Sequence, residues 1–436
     1  MKKIFFFYKE LLATFWFVPV LIIGLSVILS VGLVSLDNYL VIPQEGWFNF
    51  FVVHSLDSAR SILSTISGAM ISVAGTVFSV TLVALTLASS QFGPRLIKNF
   101  MYIRLNQIVL GSYIATYLYC LLVLNVIKDG DDNIFIPSVS ILVAILAAMA
   151  NIILLIVFIH QIAISIQADK VIADISDFIS KQVKTLFPEK IGKEIDHDDD
   201  VDPSAAISTY QKSISITSPR AGYLQYVDNE TLMQTVIKHD VLIELYHRAG
   251  NYLVKGLEIG VLYSNTQLGK EKINSIMNQF VIGKTKTSQQ DLEFSIHQMV
   301  EIAARALSPG VNDPYTAISC IDNLTATMTY LAQAKFPSKY RNDEEGKLRI
   351  IANTLDFEGV LDAAFNQIRQ FSGESAAVIV RLMEALKIIY GFTKKDRHKK
   401  AVLKHAKMVL NIGKQTIKEE NDLQDLIERS DKILNE

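Results

Sequence analysis

The sequence predicts an α-helical polytopic membrane domain of four transmembrane helices, followed by a cytosolic α+β domain. The second part reads as mainly helical with a small β subdomain. Three observations predict this. Four long apolar stretches fill the first 170 residues. Nothing comparable occurs in the remaining 265 or so. Near Ala221 the pattern changes to short strands punctuated by glycine, and after Asn265 it becomes helical.

The apolar stretches run over about 11–36, 62–90, 105–127 and 136–166. Each is roughly 20 residues or longer, enough to cross a ~30 Å hydrocarbon core at about 1.5 Å per residue. The first is too long for the apolar core of a signal peptide and lacks a small-residue cleavage site, so it reads as a retained span. Pro19 inside it predicts a kink. Lys2, Lys3 and Lys9 precede the first span, Arg95, Lys98 and Arg104 join the second to the third, and Lys170, Lys181 and Lys184 follow the fourth. The opposite side holds Arg60, Lys128 and the acidic Asp129, Asp131 and Asp132. The bias predicts both termini in the cytoplasm, in a bacterial inner (plasma) membrane.

The chain has 436 residues and a net charge of −2. Nucleic-acid partners normally require a basic patch, so none is expected. Cys120 and Cys320 are the only cysteines. One lies in a span and the other far along the soluble part, which argues against a disulfide framework.

The second span carries a seam. On a seven-residue repeat, Ser61, Gly68, Gly75, Leu82 and Ser89 form one column, and Thr65, Ser72, Ser79 and Thr86 another. Spacings of three and four put both columns on one helix face. Met70, Val73, Val77, Val80, Leu85 and Leu87 take the opposite side. Two readings fit. Small residues let membrane helices pack closely, and several copies around an axis would make a water-lined path. No Asp, Glu, Lys or Arg interrupts the span, which argues against a proton relay or an ion-coupled pump. Beyond it, Gln91, Gly93, Pro94, Arg95 and Lys98 belong to an amphipathic inner-surface loop suited to lipid headgroups. His160 and Gln161 read as interfacial groups near the end of the fourth span.

The membrane domain is expected over 1–167, and a helix and acidic linker over 168–216. The β-rich subdomain is expected over 217–264, and helices over 265–436. The helix over 168–187 should continue the fourth span. The run Glu194-Ile195-Asp196-His197-Asp198-Asp199-Asp200-Val201-Asp202-Pro203 is a solvated linker, because it lacks the glycine and terminal glutamate of an EF-hand loop. Strands are expected at 222–227 and 241–246 and in the stretch 251–263, with a helix at about 231–239 and a turn at Arg248-Ala249-Gly250. His239 and His247 have no companion at metal-ligand spacing. Further helices are expected over 268–281, 289–307, 314–334, 356–371, 374–392, 396–414 and 417–434.

Between 307 and 314 lies the corner Ser308-Pro309-Gly310-Val311-Asn312-Asp313-Pro314. Pro309 and Gly310 stop one helix, and Asp313 and Pro314 start the next. A loop meeting a helix N-terminus can bind an anion, with Arg305 assisting. The Asp313 carboxylate already suits those amides, which favours a structural corner. No nucleophile elbow, P-loop, zinc motif or dinucleotide fingerprint occurs, so no catalytic residue, metal or cofactor is expected.

Two stretches resemble a known family. Ile71-Ser72-Val73-Ala74-Gly75-Thr76-Val77-Phe78-Ser79 leads into Ala88-Ser89-Ser90-Gln91-Phe92-Gly93-Pro94-Arg95, and Arg305-Ala306-Leu307 leads into the corner and then Thr316-Ala317. Together they resemble the bacterial predicted-membrane-protein family catalogued as domain of unknown function two-two-five-four. The resemblance implies four membrane helices and a cytosolic domain, and it implies no activity.

Three functions follow as expectations. The first is an oligomeric channel or passive transport protein with a regulatory or assembly domain, in contact with membrane lipids and with copies of itself. The second is a membrane-anchored sensor or scaffold whose seam only packs helices. The third is an enzyme at the inner membrane surface, built around Arg305 and Asp313.

Overall fold

A computed structural model describes residues 11, 14–39, 53, 55–93, 103–127, 135–186, 193–194 and 203–435. The chain divides into two compact units, 1–170 and 171–436.

Among its described residues the first unit holds four helices long and apolar enough to cross a membrane. They are α1 (Phe17–Asp37), α2 (Leu56–Phe92), α3 (Arg104–Val126) and α4 (Ser138–Ser165). Pro19 does not kink α1. The helix begins at Phe17, so Pro19 lies in the first turn, where its missing N–H leaves no bond unmade. A Cβ at Gly111 of α3 would lie 2.9 Å from Pro19 Cα, so only glycine allows these two backbones to approach so closely. Leu63, Tyr119, Val123 and Ile141 form one core of the unit, and Met70, Val77, Tyr113 and Phe158 form another. Asp37, the last residue of α1, fastens the start of α4. Its Oδ1 accepts from Val139 N at 2.9 Å, and its Oδ2 accepts from Ser140 N at 3.0 Å and Ser140 Oγ at 2.6 Å. An acidic group at a helix N-terminus satisfies free amides and complements the dipole.

The fourth span does not run on as one helix. It ends at Ser165, a turn follows, and α5 (Ala168–Leu186) starts afresh. The strongly amphipathic α5 buries Ile172, Ile175, Ile179 and Val183, spaced three or four apart. Its Gln182 accepts from Ser295 Oγ at 2.6 Å and donates to the Ser288 carbonyl.

The C-terminal unit is mixed. After β1 (Lys193–Glu194) and α6 (Pro203–Ser208) come β2 (Lys212–Thr217), β3 (Gly222–Val227), α7 (Asn229–Lys238), β4 (Val241–Leu245), β5 (Tyr252–Leu253) and β6 (Glu258–Ser264). Then follow α8 (Lys270–Met277), β7 (Phe280–Gly283), α9 (Leu292–Ala306), α10 (Pro314–Gln333), β8 (Tyr340–Asn342) and β9 (Leu348–Ala352). Four helices end the chain: α11 (Phe357–Phe371), α12 (Ala376–Phe392), α13 (Asp396–Thr416) and α14 (Glu420–Leu434). One sheet has the order β1-β8-β9-β4-β6-β2, and a second the order β5-β3-β7. Leu224, Val236, Ile243, Leu262, Ile276 and Ile350 lie in the core beneath them.

The strands are not confined to 217–264. Lys212–Thr217, expected as linker, pairs with β6, its Ser and Ile residues alternating as an edge strand does. The helix expected over 268–281 ends at Met277, and Phe280–Gly283 pairs with β3 instead. The stretch between 334 and 356 contributes β8 and β9. Most of the acidic linker lies outside the described residues.

Candidate functional site

The two sides of α2 have different surroundings. Ala59, Leu63, Ser67, Met70, Ala74, Val77, Ala84 and Ala88 recur every three or four residues, with one seven-residue step, and are buried within the unit. On the other side Thr65, Gly68, Ser72, Gly75, Ser79, Leu82 and Thr86 are exposed, and Ser89 is half-buried. A Cβ at Gly68 or Gly75 would meet nothing within 4 Å. Among the described residues the seam therefore does not pack against another helix of its own chain. Of the residues expected opposite it, Met70 and Val77 are buried, Val73 and Leu85 half-buried, and Val80 and Leu87 exposed.

The seam hydroxyls bond to their own helix. Ser72 Oγ donates to the Gly68 carbonyl at 3.0 Å, Ser79 Oγ to Gly75 at 2.9 Å, and Thr86 Oγ1 to Leu82 at 2.9 Å. Back-bonding lowers the cost of placing a hydroxyl in an apolar phase, since its proton has an acceptor. Each oxygen keeps acceptor capacity for a neighbouring helix or for water.

At the end of α2, Gln91 is exposed and Gly93 closes the helix at φ 108°, its N–H donating to the Ser89 carbonyl at 3.1 Å. Only glycine takes that conformation without strain. Pro94, Arg95 and Lys98 lie outside the described residues.

A buried polar cluster that sequence reasoning missed joins α2, α3 and α4. Asn151, fully buried midway along α4, accepts from Ser112 Oγ at 2.6 Å and donates to Thr116 Oγ1 at 2.8 Å. Its Nδ2 also approaches Met70 Sδ at 3.6 Å, and Tyr113 Oη donates to its carbonyl at 2.6 Å. A lone Asn in a long apolar run was the available signal, because an amide in hydrocarbon requires partners.

The corner between α9 and α10 is a tight cap. Asp313 Oδ1 accepts from Thr316 N at 3.1 Å, and Oδ2 accepts from Thr316 Oγ1 at 2.5 Å. These bonds, the Thr316 hydroxyl first, hold the Asp313 carboxyl below the usual carboxylate range. Asp313 N donates to the Ala306 carbonyl at 2.7 Å, and Ser308 Oγ donates to the Arg305 carbonyl at 2.6 Å. Asn312 sits at φ 48°, a conformation Asn tolerates better than most residues. Pro309, Gly310 and Pro314 complete the turn and the helix start, and a Cβ on Gly310 would meet open space. Arg305 Nε lies 3.8 Å from Glu301 on the preceding turn. Val311 and Tyr315 are exposed, so the corner faces outward. His239 bonds to Ser275 Oγ at 3.1 Å, and His247 lines a cavity described below.

An uncharacterized protein of Mycobacterium bovis and one of Mycobacterium tuberculosis are each 29% identical to this chain over 369 residues. The match covers 84% of this chain and 70% of each relative. No solved structure matches it significantly. Residues 13–388 match the model of the family described as predicted membrane protein (DUF2254), taking in the four apolar helices, the seam and the corner; the chain belongs to that family.

Proposed function

We propose that this protein is an oligomeric channel or passive transport protein of the bacterial inner membrane, with α2 of each copy turned toward a shared axis. One observation carries the reading. α2 buries one face against its own chain, while Gly68, Ser72, Gly75, Ser79 and Thr86 on the other face are exposed among the described residues. Lipid gains nothing from small and hydroxyl-bearing residues, whereas a neighbouring copy gains close backbone approach and hydrogen-bond acceptors. With both termini in the cytoplasm, as the loop charges favour, the C-terminal unit would assemble or regulate the path. Absence of charge along α2 beyond Arg60, which with Asp57 lies in its first turns, suits a path of low selectivity.

The second reading is a membrane-anchored sensor or scaffold. The back-bonding of Ser72, Ser79 and Thr86 favours it, because hydroxyls already satisfied need no water and suit a dry contact between copies. Purified protein in liposomes separates the two. Solute release from protein-loaded vesicles, with a multimer in detergent, supports the channel. A tight multimer without release supports the scaffold, and a monomer without release overturns the assembly common to both.

A further inference from the structure

The six-stranded sheet has one parallel pair, β4 with β9. Both strands end side by side, at Leu245 and Ala352, and the chain leaving each forms a wall of a cavity of about 150 Å³. Beyond the carboxyl ends of parallel strands the connecting loops diverge, which is where open α/β sheets hold ligands. The first turns of α7 and α9 add to the wall through Asn229 and Leu292, and Pro337 and Arg341 line it as well.

The lining is one-sided in charge. It contains Arg248 and Arg341 and no Asp or Glu. Three aspartates stand one residue outside it, and each is turned onto its own helix. Asp228 accepts from Thr231 N at 3.3 Å, Asp291 from Phe294 N at 2.9 Å, and Asp356 from Gly359 N at 2.9 Å. Arg341 is only 2% exposed, so its charge acts in a poorly solvated setting. Arg248 donates to Glu293 at 2.6 Å, which offsets part of its charge and fixes its position. Its turn is pinned as well. Gly250 holds φ 94° where a Cβ would strike the Asp291 carboxylate, and Gly250 N donates to the Leu224 carbonyl at 2.8 Å. Leu232, Leu245 and Ile350 give an apolar floor continuous with the core.

Size narrows the ligand. A cavity of about 150 Å³ accepts a benzene-sized molecule, and drug-sized sites begin near 300 Å³. A nucleotide would not fit inside. We infer that this cavity binds a small organic monoanion, a carboxylate carried on a ring-sized apolar body. The body would lie on the leucine and isoleucine floor. The carboxylate would take charge-assisted hydrogen bonds on the arginine side, where guanidinium geometry matches it. The site lies in the C-terminal unit and does not depend on the role of the seam.

Calorimetric titration of the full-length protein in detergent with sodium benzoate tests this, with protein-free micelles as the blank. Benzoate should bind saturably, neutral benzyl alcohol should not, and inorganic phosphate should not compete. Arg248→Gln should weaken benzoate about tenfold. Ala249→Leu, which adds bulk to the cavity wall without removing charge, should abolish binding even where Arg248→Gln fails to fold. The assignment is overturned by absence of saturable binding up to tens of millimolar, by equal binding of benzyl alcohol, or by displacement with phosphate. Unchanged affinity in a folded Ala249→Leu protein also overturns it.

Discussion

Ser112 and Asn151 meet between two membrane helices, the Ser112 hydroxyl donating to Asn151 Oδ1 at 2.6 Å. Thr116, one turn on, receives the Asn151 amide at 2.8 Å. One side chain of α4 is thereby fixed against two successive turns of α3. Asn151→Leu removes both bonds and puts branched carbon where a planar amide fitted. Intramembrane hydrogen bonds average about 0.6 kcal/mol and reach about 1.7, so a loss of roughly 1–3 kcal/mol is expected once misfit is included. Unfolding in mixed micelles should show it, while Asn151→Gln should recover little because the longer amide cannot reach the same partners. A Leu variant as stable as the original protein would remove the cluster from the fold's energetics.

Asp313→Ala should destabilise the C-terminal unit by about 1 kcal/mol, the usual effect of losing a helix N-cap. The Thr316 hydroxyl and the helix amides hold the Asp313 carboxyl below the ordinary value of 3.8. As pH falls, the unfolded chain therefore takes up this proton first. The cap stabilises fully above the ordinary value, and its contribution disappears as pH falls through the lower folded value. Melting curves of full-length protein and variant in detergent should differ by about 2–4 °C at neutral pH and converge below pH 3.8.

His398 and His405 are buried among the terminal helices. The His398 ring stacks on Phe357 with centroids 4.4 Å apart, and His405 Nε2 lies 2.9 Å from Asp362 Oδ1. Burial lowers the pKa of both below the ordinary 6.5; for His405 it outweighs the opposing pull of Asp362. The folded protein thus refuses protons that the unfolded chain accepts. Stability from this source is complete above pH 6.5 and declines as pH falls below it. The melting temperature should drop between pH 7.5 and pH 5.5, and His398→Phe should make that drop shallower. A melting temperature independent of pH over this range would contradict the assignment.

Much of this architecture is legible in the sequence because its signals are local. Uninterrupted apolar runs mark the spans, and the seam follows from spacing on α2 alone. The Asp313-Pro314 helix start needs only two adjacent residues. What escaped depends on distant partners. Leu348–Ala352 forms a strand because it lies parallel to Val241–Leu245, a hundred residues earlier. Phe280–Gly283 is four residues long, too short for periodicity to tell strand from helix. Asn151 advertises a partner without naming it, since Ser112 and Thr116 sit on another helix. The cavity lined by Arg248 and Arg341 joins residues from five separated stretches of chain, and His247, read as an isolated histidine, lies in its wall.

Gly75→Leu and Val77→Leu should fail in opposite ways. Val77 is 2% exposed and packed in the core with Met70, Tyr113 and Phe158, so an added methylene should cost the folded chain roughly 1–3 kcal/mol. A Cβ on Gly75 would meet nothing within 4 Å among the described residues, and leucine is the better helix former, so the single chain should fold as well or better. Any defect in Gly75→Leu must then arise between copies. On the shared-axis reading, the multimer or the solute flux should be lost while the melting of the chain is unimpaired. Single cysteines refine the point once Cys120, itself buried, has been replaced. At 68, 72, 75 and 79 they should react with a water-soluble thiol reagent if they line a path, or cross-link between copies if they pack. At the buried positions 63, 70, 74 and 77 they should do neither. Uniform behaviour of the two sets, together with a silent Gly75→Leu, would leave α2 facing lipid and remove the basis for assembly around it.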